Sequence, residues 1–168
     1  MIKTIKNIEE LISKNIIKKY AVGGAFASIF YIEPIATFDL DIFVIIKTED
    51  AKSLNPLKEI YAWAKEKNFP VEKEHILIEG IPVQFLPVYN ELTAEAVENA
   101  AIKKFDGEDI SVISPEYLIA IMIDTFRGKD RERAIRFLNE ATIDKATLDN
   151  ILNKYNLKDK FDKLNYAN

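Results

Sequence analysis

The sequence predicts an α+β fold: a mixed β-sheet flanked by helices and continued by a C-terminal helical region. Three observations predict it. The stretch Tyr20 to Ile46, YAVGGAFASIFYIEPIATFDLDIFVII, reads as an apolar strand, a break at Gly23-Gly24, a short helix, a loop around Pro34 and a second strand. Residues Val71 to Val88 and Ile102 to Ile113 read as extended segments folded back at Glu79-Gly80 and Asp106-Gly107. From Ser114-Pro115 onward the pattern is helical throughout. The division expected is an α/β core over residues 1–113 and a helical region over 114–168 that packs on it as one unit and walls one side of a cleft.

Taken in order, Asn7 with Glu10 three residues later has the form of a capping box, followed by an apolar stripe of Ile8, Leu11, Ile12 and Ile16. Lys14, Lys18 and Lys19 near its end offset the helix dipole, and the plain reading is a solvated charge cluster. Tyr20–Val22 is the first strand and Ala25–Tyr31 the helix after the glycines, with Ser28 as a small packing residue. After the strand from Asp39 to Ile46, Thr48-Glu49-Asp50 turns the chain, and Asn55-Pro56 opens a helix with proline at its first position. Leu57, Ile60, Tyr61 and Ala64 form its inner face, which leaves Trp63 at the edge of the core. Thr93–Ala100 reads as a short helix. Ser114 is an N-cap and Pro115 a first helical residue, with Tyr117, Leu118, Ile121 and Met122 carried inward as far as Phe126. Gly128 interrupts the pattern, so the charges of Arg127 to Arg133 fall at a helix–helix junction. The remaining helices turn Ala134, Ile135, Phe137 and Leu138, then Leu148, Ile151, Leu152 and Tyr155, and last Leu157, Phe161 and Leu164, toward the core.

Chemistry concentrates at Asp39-Leu40-Asp41. Two carboxylates at i and i+2 of a strand share a face about 6–7 Å apart, while Leu40, Ile42 and Val44 face the core. An acidic pair on an apolar strand is costly unless a cation sits there, and a divalent metal is the obvious one. Gly23 and Gly24 turn the backbone without a Cβ, and the helix that follows aims free N–H groups at what lies in front of it. A phosphate cradle and a metal-binding acidic pair on adjacent elements are the layout of phosphoryl or nucleotidyl transfer.

Gly23-Gly24, a spacer, Thr37 and then Asp39-x-Asp41 in a strand resemble the DNA polymerase beta-type nucleotidyltransferase superfamily. AVGGAFAS…ATFDLDIFV, with SPEYLIAIMI…RGKD later, is most similar to its small toxin–antitoxin and abortive-infection members. The resemblance implies a nucleotidyltransferase-like fold and a Mg²⁺ or Mn²⁺ ion on Asp39 and Asp41. It further implies a nucleoside triphosphate seated by Gly23, Gly24, Thr37, Arg127 and Lys129. Arg127, Lys129 and Asp130 match a family Arg-x-Lys-Asp pattern, and Arg133 stands where a second Asp is expected. Arg127 and Lys129 are read equally as triphosphate ligands or as solvated charges. Arg131, Arg133 and Arg136 are read as solvated. Ile35 stands where the family often carries an arginine. The largest departure is Gln84, which in IPVQFLPV aligns with the family's third carboxylate. An amide offers its carbonyl to a metal but adds no charge and accepts no proton. Glu74 and Glu79 are the nearby acids that would compensate. His75, the single histidine, is read as structural.

Two functions follow from the resemblance. The first is an Mg-dependent transferase moving a nucleotide from an NTP to an RNA (tRNA) or protein hydroxyl, within a toxin–antitoxin pair. The second is a catalytically degenerate, nucleotide-binding antitoxin or regulatory module. Of the 168 residues, 48% are hydrophobic and 30% charged, ordinary for a protein with a real core. No cysteine is present, which excludes disulfides and thiolate metal sites. A net charge of −4 weighs against a general polyanion binder. MIKTIKNIEELISK is too broken by charge for a signal peptide, and no apolar run reaches spanning length, so the expectation is a cytoplasmic protein with no membrane partner.

Overall fold

In the computed structural model, residues 1–34, 36–47 and 55–164 are described. The expected turn at Thr48-Glu49-Asp50 and the position of Ile35 lie outside them. Seven strands form one mixed sheet in the order β3-β4-β5-β2-β1-β7-β6. The strands are β1 (Ile17–Val22), β2 (Leu40–Ile46), β3 (Val71–Glu72), β4 (His75–Ile78), β5 (Ile81–Pro87), β6 (Ala101–Phe105) and β7 (Glu108–Val112). β2 runs antiparallel to β1 and parallel to β5, while β1 meets β7 in parallel. Two of the three hairpins, β4–β5 and β6–β7, turn on Glu79-Gly80 and Asp106-Gly107, where both central residues have positive φ, and the third joins β3 to β4. That is the turn an acidic residue followed by glycine favours between twisted strands.

Eight helices are described: α1 (Ile2–Ser13), α2 (Gly24–Ser28), α3 (Lys58–Glu66), α4 (Glu91–Glu98), α5 (Pro115–Thr125), α6 (Gly128–Glu140), α7 (Lys145–Lys154) and α8 (Lys158–Asp162). α1 begins five residues before the expected cap. Thr4 and Ile5 are already buried, and Asn7 lies within the helix, its Nδ2 donating to the Lys3 carbonyl. The buried stripe is Ile5, Ile8 and Leu11, and Ile12 is left at the surface. In α3 the buried residues are Ile60, Trp63 and Ala64, so the stripe is rotated by one position from the one expected. Trp63 is therefore in the core, 2% exposed, its ring edge-on to Phe69 at 5.5 Å. Full burial of an indole removes far more apolar area than an edge position does. α4 starts two residues earlier than expected, because Asn90 and Thr93 close a reciprocal cap.

The break between α5 and α6 falls at Phe126, in the left-handed region at φ 53, and Arg127 caps the next helix. Helices α4, α5 and α7 are tied by one carboxylate, since Glu95 accepts from Tyr117, Tyr155 and Lys154. The Lys154 and Tyr155 contacts hold the Glu95 carboxyl down to about 2. Glu116 makes a second tie, accepting from Ser114 Oγ at one end and from the Asp144 amide at the head of α7. These ties join the C-terminal helices to one another and to α4, and residues of α5 and α6 line a cleft with Asp41.

Candidate active site

Strand β2 lies in the interior of the sheet, and its alternation is clean. Leu40, Ile42 and Val44 are fully buried on one face, while Asp41 and Phe43 point to the other. Asp39 comes immediately before the strand. Its carboxylate is held by Thr37, whose Oγ1 donates to Asp39 Oδ1 at 2.8 Å. The parallel register sets Asp41 opposite Gln84, and the antiparallel β4–β5 register sets Gln84 opposite His75. One transverse row thus carries Asp41, Gln84 and His75 on three neighbouring strands. His75 Nε2 comes within 3.7 Å of Asp39 Oδ2 and makes no hydrogen bond of its own.

The two glycines are fixed by their neighbours. The Gly23 amide donates to the Asp41 carbonyl at 2.9 Å, which continues the β1–β2 pairing by one residue and leaves that N–H committed within the protein. A Cβ on Gly23 would sit 2.5 Å from the Phe43 ring. Gly24 has φ +59, and a Cβ there would lie 1.8 Å from Asp41 Oδ2. The missing side chain at 24 is the space that the Asp41 carboxylate occupies.

A cavity of about 550 Å³ opens over this row. Asp39, Asp41 and Gln84 line its floor, Leu86, Leu118 and Met122 give it an apolar wall, and Arg127, Lys129 and Arg133 come from α6 and its cap. Burial and the neighbouring Asp39 charge push the Asp41 carboxyl up from the ordinary carboxylate range, against the opposing pull of Arg133, His75 and Lys129. Arg127 is already engaged: its Nε donates to Asp130 Oδ2 at 2.6 Å. Asp130 is 3% exposed and also accepts from Thr125 Oγ1. Burial alone would raise the Asp130 carboxyl, but the bonds from Arg127 and Thr125 outweigh it and hold it low.

Of the residues singled out in the sequence, Gly24, Asp39, Asp41, Gln84, Arg127 and Lys129 meet in this one cavity. Thr37 does not line it and acts on Asp39 instead. Gly23 does not line it either. Glu74 lies across Asp39 in a second cavity, and Glu79 is at the β4–β5 turn, away from both. Arg133 and His75, read as solvated and structural, stand beside the two aspartates. The signal for Arg133 was its spacing of four from Lys129, one helical turn along the same face. For His75 it was the hairpin register with Gln84.

The donor set suits a small hard cation. Two carboxylates and an amide carbonyl are all oxygen, and a raised Asp41 carboxyl marks a place short of positive charge. Among the described residues no group of three or more His, Cys, Asp or Glu side chains is arranged to hold a metal alone. An ion held by Asp39 and Asp41 would need its remaining ligands from water and substrate, as Mg²⁺ commonly does.

No protein-family model matches the chain, and no curated protein matches it in sequence. Solved structures do match in shape. The solution structure of the antibiotic-resistance factor ANT(2'')-Ia superposes with a TM-score of 0.53 at 12% identity, covering 92% of this chain and 90% of that one. The crystal structure of ANT(2'')-Ia in complex with adenylyl-2''-tobramycin gives a TM-score of 0.50 at 12% identity, over 95% and 94%. An antigenic nucleotidyltransferase-like protein from Paracoccidioides brasiliensis gives 0.49 at 15% identity, over 94% and 86%. What this chain shares with ANT(2'')-Ia is the fold, an α+β nucleotidyltransferase-like one with a mixed sheet.

Proposed function

We propose that the chain is a Mg²⁺-dependent nucleotidyltransferase that moves a nucleotide from a nucleoside triphosphate to a hydroxyl group. The observation that supports it most is that Asp39 and Asp41 share a single cavity with the cations Lys129 and Arg133. Asp39 and Asp41 would hold Mg²⁺ or Mn²⁺, and the ion would supply positive charge against the two carboxylates and the triphosphate. The residues of the chain supply the rest. Thr37 orients Asp39, Lys129 and Arg133 balance phosphate charge, and the apolar wall at Leu118 and Met122 takes the base. The acceptor oxygen attacks the α-phosphorus, the bond to pyrophosphate breaks with its electron pair leaving on pyrophosphate, and the acceptor proton passes to water. Gln84 takes no proton in this scheme.

The acceptor is an RNA 3′ end, a protein hydroxyl in a toxin–antitoxin pair, or a small hydroxylated molecule. The last class is suggested by the adenylylated tobramycin held by ANT(2'')-Ia. Gln84 favours a second reading, a module that binds the nucleotide without turning it over, because nothing at that position can activate a nucleophile. Melting temperature measured with each of the four NTPs, with and without Mg²⁺, tests the site. A rise of several degrees that needs both NTP and metal is expected, and it disappears in the Asp39→Asn/Asp41→Asn double variant. Equal stabilisation of parent and double variant sinks the assignment. Transfer of label from an α-labelled NTP then separates the two readings: the enzyme transfers it, and the binding module does not.

A further inference from the structure

A second cavity, of about 580 Å³, lies on the other side of Asp39. It is bounded by the approach to β2 at Ala36, Thr37 and Phe38 and by the β3–β4 hairpin at Glu72, Glu74 and His75. Phe38 is 89% exposed at its rim, a large ring in water beside an acidic residue of the site. The two cavities have two lining residues in common, Asp39 and Arg133. Reaction between a nucleotide in one compartment and an acceptor in the other requires that the bond forms where they meet, so the residues of the common wall face the reacting phosphorus.

Of those two, Asp39 is an anion already engaged by Thr37. Arg133 is a half-buried guanidinium one turn into α6. Among the described residues it has no ion-pair or hydrogen-bond partner, and of the positive groups around Asp41 it draws that carboxyl down most. That contrasts with Arg127, which is locked onto Asp130, and Arg136, which is paired to Glu140. A guanidinium is a planar fork that matches two phosphate oxygens at once, and leaving it unpaired beside two aspartates suits a site that receives an anion.

We propose that Arg133 binds the transferred α-phosphate at the wall between a nucleotide compartment over Asp41 and an acceptor compartment under the β3–β4 hairpin. This rests on the nucleotidyltransferase reading and adds to it the position of the transferred group. In the step, the acceptor oxygen enters from the hairpin side and bonds to the α-phosphorus. Pyrophosphate departs on the Lys129 side with the electron pair of the broken bond. Arg133 keeps its hold on the non-bridging oxygens throughout, and the acceptor proton leaves to water through the open acceptor side.

Calorimetric binding of adenosine, AMP, ADP and ATP in Mg²⁺ tests this, or the same series on whichever base stabilises the parent most. An α-phosphate ligand predicts that Arg133→Ala weakens the mono-, di- and triphosphate by one common factor, about 10- to 100-fold, and leaves the nucleoside unchanged. Arg133→Lys, which keeps the stem and charge but not the fork, recovers part of the loss. Arg131→Ala, on the same helix but lining neither cavity, changes nothing. Binding by Arg133→Ala within twofold of the parent overturns the proposal. A loss confined to ATP also overturns it, since that places Arg133 on the γ-phosphate. If the parent binds none of the nucleotides, or Asp39→Asn/Asp41→Asn binds them as well as the parent, the nucleotidyltransferase reading has failed and this proposal falls with it. Where only Arg133 proves indifferent, that reading stands alone.

Discussion

At the scale of single residues, the site depends on an atom that is missing. Gly24 combines positive φ with a Cβ position inside contact distance of the Asp41 carboxylate, so backbone strain and steric clash act together. Gly24→Ala is expected to cost about 3 kcal/mol, and the melting temperature should fall accordingly; a loss below about 1 kcal/mol would mean the carboxylate moves aside freely. Asp41 makes the opposite case. Its carboxyl is raised in the folded protein by burial and by Asp39, so the native state holds its proton more tightly than the unfolded chain. Its contribution to stability is therefore complete below the unfolded value of about 3.9 and is lost as pH rises through the folded value. Asp41→Asn removes that charge, and the metal-free variant should melt above the parent at pH 7, by about 2–4 °C for each kcal/mol gained. The gap should close as the pH is taken below about 4. Chemical or thermal unfolding across that range reads the sign directly.

At the scale of elements, the α5–α6 junction decides where the cations stand. Thr125 closes α5, Arg127 caps α6, and both donate to the buried Asp130. Asp130 is held low, so its contribution has the reverse sign: present above the unfolded value and lost as pH falls through the folded one. Asp130→Asn is expected to cost about 1–2 kcal/mol at neutral pH, tempered by the exposure of Arg127, and to weaken triphosphate binding because α6 loses its fixed start. Urea unfolding beside nucleotide titration measures both, and unchanged binding would show that the junction does not position the cations. This junction also marks how far the sequence could be read. Gly24, Asp39 and Asp41 were legible because strand alternation and glycine geometry act over a few residues. Gln84 came from resemblance, since the parallel pairing of β2 with β5 joins segments some forty residues apart in sequence. Arg133 was missed because a run of alternating charges looks the same whether it faces water or a cavity. Trp63 and the start of α1 were misplaced by a helical stripe read one register, or one turn, out of place.

At the scale of the whole molecule, β2 sits inside a seven-stranded sheet with β1 and β5 bonded along its sides, and helices α5 and α6 cover the face that bears Asp41. Among the described residues no helix is long and apolar enough to cross a membrane. The fold was readable in outline because the β4–β5 and β6–β7 hairpins announced their turns and α5 its start at Ser114-Pro115. The strand order was not, since it is set by which apolar faces meet after the chain has closed long loops. The position of β2 has a further consequence. A strand bonded on both edges is among the last parts of a protein to open, whereas the first turn of α6, exposed at Gly128 and Lys129, hangs on the bonds that Asp130 accepts from Thr125 and Arg127. The anionic half of the cleft is thus an anvil, and the cationic half is held in place by one buried carboxylate. Substrate capture in such an arrangement is a matter of tightening a helix onto a rigid floor, and protection from amide exchange would grow at α6 while β2, already closed, has none left to gain.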